Sequence, residues 1–435
     1  MSLGSGPVTC PLARMIQPSS ARLNCTRSKP TGVALTKMLN VASPVAGSAL
    51  AGACACAAGA CPAGRTMDDH AATAARTMAH RTAGAARRVT VAAYHLPMQP
   101  NGYAALRTAA ALRTPADRGW IAVNGSDRGR FLQGLLTNDV AVLEPGGGCY
   151  AAYLTPQGRM LADMHLLAEA DRIVVDLHHS VKDRLLERWD DLIFTEDVEL
   201  SDLTPDTVAV DLCGPGASSM LSRMADAPTG AGAVTLYRHR AGRIASHAVT
   251  VARIDELGIE GYRLRMARDA GDALRHALAE AGAVEADAAA WEAVRVESGR
   301  PAFPVDMDDG TIPLEAGITD RAIDFDKGCY VGQEVIIRVL HRGQGRIARK
   351  LAGLTLDSAA DSPAGGSVPG PGAAVSHGGD AETGRVTSAV HSPALGRPIA
   401  LAYLPRILAD APGTEVAVVT ERGDAPAVVT SLPFV

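Results

Sequence analysis

A break near residue 98 limits what this chain can fold into. Before it, Ala, Gly, Ser and Thr dominate, bulky apolar residues are sparse, and no helical or strand period is sustained. Such a segment lacks the apolar surface that offsets the entropy of an ordered chain. Charge changes sign at nearly the same place. Residues 1–95 hold ten Lys/Arg against two Asp, and the remaining 32 basic and 45 acidic residues leave the body at −13. A body this acidic is a poor general binder of phosphate backbones, so no direct nucleic-acid partner is expected. Five of the eight cysteines (Cys10, Cys25, Cys54, Cys56 and Cys61) fall in the leader, leaving Cys149, Cys213 and Cys329 in the body. Three widely spaced cysteines make no disulfide framework and suit a reducing compartment.

Three readings of residues 1–97 stay open. The segment is a start assigned too early, with the protein beginning near Met98. Or it is an organelle transit peptide, being Arg-rich, Ser-containing and almost free of acid. Or it is a metal tail built on Cys54, Cys56 and Cys61, although no pair of CxxC knuckles is present. The uncharged run from Met38 to Gly64 is mostly Ala and Gly, too weakly apolar for a membrane span.

From Gly119 onward the periods become legible. Trp120–Val123 reads as a strand, followed by a helix capped by Ser126 or Asp127 with Phe131, Leu132, Leu135 and Leu136 on one face. Pro145-Gly146-Gly147-Gly148 forces a turn. Cys149–Leu154 and Met160–Leu167 form a hairpin around Pro156-Gln157-Gly158, and Ile173–Leu177 adds a strand. Ser180 with Asp183 opens a helix burying Leu185, Leu186, Trp189, Leu192 and Ile193. Helices follow over Asp269–Ala281 and Asp287–Ser298, the second closed by Gly299. After a Pro/Gly loop at Asp361–Gly372, runs at Gly384–Val390, Ile399–Leu404 and Glu415–Val419 suggest a small all-β end domain. The expected fold class is α+β, with boundaries at 98–345 and 346–435.

The densest chemistry lies between Arg295 and Gln344. It includes Lys327-Gly328-Cys329-Tyr330-Val331-Gly332-Gln333-Glu334 and ends at Arg342-Gly343-Gln344. Gly328 and Gly332 leave the Cys329 backbone approachable. Lys327, Arg338, His341 and Arg342 would surround the thiol with positive charge, which favours the thiolate of a nucleophile or metal ligand. The plain alternative is a buried, inert cysteine, with Tyr330 in the core and Gln333 and Glu334 starting a helix. Lys327 stands out as one of five Lys beside 37 Arg, as if the compact ammonium mattered.

The octapeptide resembles the signature of the YgfZ proteins, relatives of the glycine-cleavage T protein. Phe131–Gly134 through Thr137-Asn138-Asp139-Val140 is similar to that family's first helix and its Asn-Asp end. Gly158-Arg159-Met160 is similar to its hairpin glycine, and Gly384–Ser388 with Ser392-Pro393 and Leu395-Gly396 to its end-domain motif. The resemblance spans about residues 115–435. It implies a T-protein-like folate-binding domain of intertwined αβ lobes, followed by a small C-terminal antiparallel β-barrel. Tetrahydrofolate or a derivative is the implied ligand, with no permanent metal or iron–sulfur cluster. Cys329 and Lys327 are the implied reactive pair, supported by Gly328, Tyr330, Gly332, Gln333 and Glu334. The implied folate residues are Asn138, Asp139, Glu260, Tyr262, Arg295 and Glu297. A carboxylate can pair with the pterin edge, and Arg suits the glutamate tail.

The function expected from this resemblance is assembly or repair of iron–sulfur enzymes, including tRNA-modifying ones, by a factor more auxiliary than catalytic. Its partners would be folate and iron–sulfur enzymes or scaffold proteins, in the cytoplasm, or in the mitochondrial matrix if the leader is a transit peptide. The second reading is a folate-dependent aminomethyl or one-carbon transferase. It meets one departure: the T protein has paired acids after the hairpin glycine, and here Asp163 stands alone. A third reading is an interaction scaffold that binds no folate. A dimethylglycine-dehydrogenase relative is excluded, because no strand–GxGxxG–helix unit precedes residue 115.

Overall fold

The computed structural model describes residues 98–226, 234–341, 346–357 and 366–435. The five leader cysteines and Arg342-Gly343-Gln344 lie outside the described residues. In chain order the elements are α1 (Pro100–Thr108), β1 (Ala111–Arg113), β2 (Arg118–Asn124), α2 (Arg128–Leu135), β3 (Gly148–Leu154), β4 (Met160–Ala168), β5 (Arg172–His178) and α3 (His179–Asp190). Next come β6 (Glu199–Asp202), β7 (Thr207–Cys213), α4 (Ala217–Met224), β8 (His239–Ile244), β9 (His247–Ile254), β10 (Gly261–Ala267), α5 (Gly271–Glu280), β11 (Val284–Glu285) and α6 (Ala288–Glu297). Two short turns of helix at Pro313–Ala316 and Thr319–Ala322 lead to α7 (Gln333–His341). The last strands are β12 (Arg349–Leu356), β13 (Ala374–His377), β14 (Asp380–Ser392), β15 (Arg397–Pro405), β16 (Glu415–Thr420) and β17 (Gly423–Thr430).

These strands make three layers of sheet. The first has the order β3-β4-β5-β2-β6, the second β11-β1-β7-β10-β9-β8, and the third is a closed barrel, β12-β15-β14-β13-β16-β17. The chain starts the second sheet with β1, leaves to build all of the first, and returns with β7. That exchange makes the two lobes intertwined, so the α+β class with a β-barrel end holds. Each lobe has its own core. Ile121, Leu132, Val175, Leu185 and Trp189 fill the first, and Leu112, Val210, Leu221, Leu264 and Leu274 the second. The two sheets face one another through Trp120, Leu167 and Val174 on one side and Ala209 and Ala252 on the other. Helix α6 joins the barrel, with Val296 packed among Leu351, Val390, Ile399 and Leu401.

Local signals acted with three changes of detail. Helix α3 is capped by the His178 ring, whose Nδ1 accepts from the Ser180 amide, and not by Ser180 itself. It ends at Asp190, which leaves Leu192 39% exposed instead of buried. Helix α2 takes no side-chain cap from Asp127, whose carboxylate instead accepts the Asp197 amide. Asp287 does cap α6, through the Ala290 amide at 2.7 Å.

Candidate active site

At one end of the facing sheets lies a cleft of about 580 Å³, within the usual ~300–1,000 Å³ range of small-molecule sites. Strand pairing decides what enters it. Tyr150 on β3 is the cross-strand partner of His165 on β4, and Asp163 lies two residues back on the same face. The Tyr150 hydroxyl donates to Asp163 Oδ2 at 2.7 Å. Burial raises the Asp163 carboxyl above its ordinary range, while Arg118 and the Tyr150 hydrogen bond pull the other way. The β9–β10 loop brings Asp255 and Glu256 into the same cleft. Trp291 and Phe303 supply the apolar surface, and Arg113 stacks on the Trp291 ring at 4.0 Å.

A charged lattice holds this wall. The Arg263 guanidinium donates to Asp211 at 2.7 and 2.9 Å, to Asp176 at 2.8 Å and to Glu256 at 3.0 Å. Arg118 donates to Asp176 at 2.8 Å and stands 3.7 Å from Glu256, as does His165 Nε2. Against burial, which raises it, Arg263 and Arg118 hold Glu256 well below the usual carboxylate range. Glu256 is therefore a fixed anion, whereas Asp163 keeps a proton more readily. Two carboxylates in one cleft with opposed proton affinities suit a division between charge stabilisation and acid–base work.

The sequence-derived residues do not assemble here as a set. Arg295 lines the cleft, and its guanidinium donates to Asp306 at 2.6 Å and Ser388 Oγ at 2.7 Å. Glu297 sits outside the cleft, fully buried, accepting from Tyr103 at 2.8 Å and from Arg107 and Ser392. Glu260 accepts from its neighbour Tyr262 at 2.9 Å, and neither lines the cleft. Asn138 donates to the carbonyls of Tyr150 at 2.8 Å and Arg321 at 3.1 Å, so it steadies two cleft residues from behind. Asp139 accepts the Ala141 amide at 3.2 Å.

The octapeptide is likewise apart from the cleft. The Lys327 ammonium turns inward and donates to the carbonyls of Gln133, Leu136 and Asn138 at 2.8, 2.6 and 2.8 Å. It closes the end of α2, where carbonyls lack helical partners. Burial lowers its pKa to about 8. Cys329 is exposed, and of the cations expected around it Arg342 lies outside the described residues. Lys327 faces away into the protein, and Arg338 pairs with Glu334 at 2.5 Å. Cys329 does not line the cleft. Tyr330 is buried under the Lys327 ammonium, 5.2 Å from its ring, and Gln333 begins α7. Gly332 has φ +85°, and a Cβ there would stand 2.5 Å from the Thr155 carbonyl, so the segment is fitted to the hairpin turn.

Sequence reasoning missed Arg113, Arg118, His165, Glu256 and Trp291. A signal existed for Glu256, in the Asp255-Glu256 pair that precedes the Leu257-Gly258 turn. His165 was visible only as the second polar position on one face of β4.

A family model described as the GCVT N-terminal domain matches residues 81–327. The chain belongs to the glycine cleavage T-protein family. The family's C-terminal barrel domain matches residues 349–435, the described closed barrel included. Among similar proteins, an aminomethyltransferase of Rubrobacter xylanophilus is 32% identical over 364 residues, 82% of this chain and 92% of that one. An aminomethyltransferase of Nostoc is 28% identical, covering 80% and 92%. The glycine cleavage system aminomethyltransferase T of Bartonella henselae has the same fold, with a TM-score of 0.66 at 22% identity, over 77% of this chain and 89% of that one.

These findings overturn the expected function. The Rubrobacter and Nostoc relatives are named for aminomethyl transfer, so the iron–sulfur assembly or repair reading is corrected, and the auxiliary, non-catalytic role loses its support. The physical reason for the error is visible. The lone acid after the hairpin glycine was weighed by its neighbours in sequence, whereas the fold sets Glu256 in the same cleft from a loop about ninety positions away.

Among the described residues, no helix is long and apolar enough to cross a membrane. No group of three or more His, Cys, Asp and Glu side chains there is placed to hold a metal ion.

Proposed function

We propose that this chain is a tetrahydrofolate-dependent one-carbon transferase of the aminomethyltransferase type, working in the cleft with Asp163 as its acid–base group. The observation that carries the reading is the Tyr150–Asp163 pair. It is a carboxyl raised by burial, oriented by a 2.7 Å hydrogen bond, and set on the wall of a small-molecule cleft. Polar atoms lacking protein partners support a heterocyclic ligand there. His165 Nδ1 and Asp117 Oδ1 are buried without hydrogen bonds among the described residues, and buried polar atoms ordinarily have them. A pterin edge offers donors and acceptors to such groups, and Trp291 and Phe303 offer it flat apolar surface. Arg113, Arg300 and Arg321 would hold a glutamate tail.

When bound, tetrahydrofolate supplies the nitrogen that accepts the one-carbon unit. The chain's own work is then positional and protonic. Asp163 exchanges a proton with the departing amine, held in register by Tyr150. Glu256 and the arginine lattice supply a fixed field that needs no reorganisation as charge develops. The apolar wall excludes water.

The Lys327–Glu334 segment supports placing the chain on the YgfZ branch of the family, and we keep that as a proposal about descent, with one-carbon transfer as the chemistry. The free thiols of Cys149, Cys213 and Cys329 suit a cytoplasmic setting.

Isothermal titration with tetrahydrofolate tests the cleft. Saturable binding weakened about tenfold or more by Arg113→Ala is expected, because the stacked guanidinium leaves with its charge. Absent binding, or binding indifferent to Arg113→Ala and Trp291→Ala, contradicts the assignment.

A further inference from the structure

A second cavity, larger than the cleft at about 1000 Å³, opens at the far end of the same strands. Strand β4 carries Asp163 and His165 into the cleft, and Glu169, just past the end of β4, into this basin. Four arginines line it, Arg172, Arg238, Arg240 and Arg265, against two carboxylates, Glu169 and Asp206. That surplus of positive charge sits on a body of net −13. Glu169 is already engaged by Arg172 at 2.7 Å and by Arg265. Two further atoms point to a missing partner. Arg265 has a 10% exposed side chain, and its Nε is buried without an acceptor among the described residues. His239 is 8% exposed, and its Nδ1 is also without a partner. Burial lowers the His239 pKa, so the positive charge belongs to the guanidiniums.

We propose that this basin binds a small multiply charged oxyanion, a phosphate or polycarboxylate group, gripped by Arg238 and Arg265. Guanidiniums present paired N–H donors that match such oxygens, and a concave wall strengthens the field they feel. Glu169 divides its charge between Arg172 and Arg265, and the exposed Arg238 lines the same basin. The site is separate from the cleft and does not depend on the one-carbon reading.

Equilibrium dialysis of the full chain against radiolabelled inorganic phosphate tests it. Saturable binding is expected at millimolar phosphate or below, weakened about tenfold or more by Arg238→Glu. Asp163→Asn should leave it unchanged. Arg240→Glu is the companion variant on the same rim and should act in the same direction. Competition with citrate tells the source: strong displacement identifies a polycarboxylate ligand, and weak displacement a phosphate. Arg238 is exposed and outside the cleft, so an unchanged thermal unfolding midpoint and circular dichroism spectrum of the variant verify its fold. No saturable binding of phosphate or citrate, or binding that survives both Arg238→Glu and Arg240→Glu, overturns the proposal.

Discussion

At the scale of single residues, Lys327 and Glu297 show how a chemically suggestive side chain is taken up by architecture. Lys327 gives its three donors to the carbonyls of Gln133, Leu136 and Asn138, at and just past the end of α2. Replacing it with Met strands those carbonyls, and about 3 kcal/mol of stability should be lost. Urea unfolding should show a lower midpoint at unchanged slope. A transferase activity lost without any change in that midpoint would instead return Lys327 to the chemistry. His178 gives a pH signature. Burial pushes its pKa down to about 4, so the folded chain stays neutral there while the unfolded chain takes a proton below about 6.5. The unfolded state then binds more protons between about 6.5 and 4, and stability falls as pH falls through that window. Thermal unfolding from pH 7 to pH 4 should show the decline, and His178→Asn should flatten it. An equal decline in the variant would assign the effect to other groups.

At the scale of elements, the hairpin and the octapeptide are one fitted unit. Gly158 lies with its Cβ direction against Val335, and Gly332 against the Thr155 carbonyl. Gly332→Ala faces both a left-handed φ and a 2.5 Å contact, so a loss of more than about 1 kcal/mol is expected. A neutral result by denaturant titration would mean the turn relaxes freely. This fit also explains what was legible. The period-2 runs of β2 to β5 and of the barrel strands β14, β15 and β16, and the capped α6, could be read because their apolar faces and punctuation are local. Strands β6 to β11 could not be read equally well. β1 and β11 are three and two residues long, and β8 alternates weakly, with Arg240 and Arg243 exposed. β1, β7 and β11 pair with strands far away in sequence, and burial in the second sheet, not pattern, makes them strands. The candidate site was legible only in Asp163 and Arg295. Arg113, Glu256 and Trp291 reach the cleft from β1, a loop and α6, and only the topology reveals that they share it.

At the scale of the whole molecule, the barrel is tied to the cleft. Asp306 accepts from Arg295 at 2.6 Å and from Ser388 at 2.7 Å, and the Tyr403 hydroxyl donates to its carbonyl at 2.9 Å. Since Arg295 and the loop Pro301–Val305 line the cleft, the barrel fixes one of its walls. Asp306→Asn weakens one acceptor of the buried Arg295 and removes the anion that also receives Ser388, leaving Glu292 as the charged partner of the guanidinium. A stability loss of about 1–2 kcal/mol is expected, together with weaker tetrahydrofolate binding. Tight binding in a destabilised variant would show that the barrel supports the fold without shaping the site. The measurement closest to the central claim is multiple-turnover transfer from an aminomethyl donor to tetrahydrofolate, followed by ammonia release. Wild type should turn over, Asp163→Asn should lose about 10²–10⁴-fold in rate, and Cys329→Ser should match wild type. No turnover by wild type, or turnover that survives Asp163→Asn and vanishes with Cys329→Ser, would contradict it.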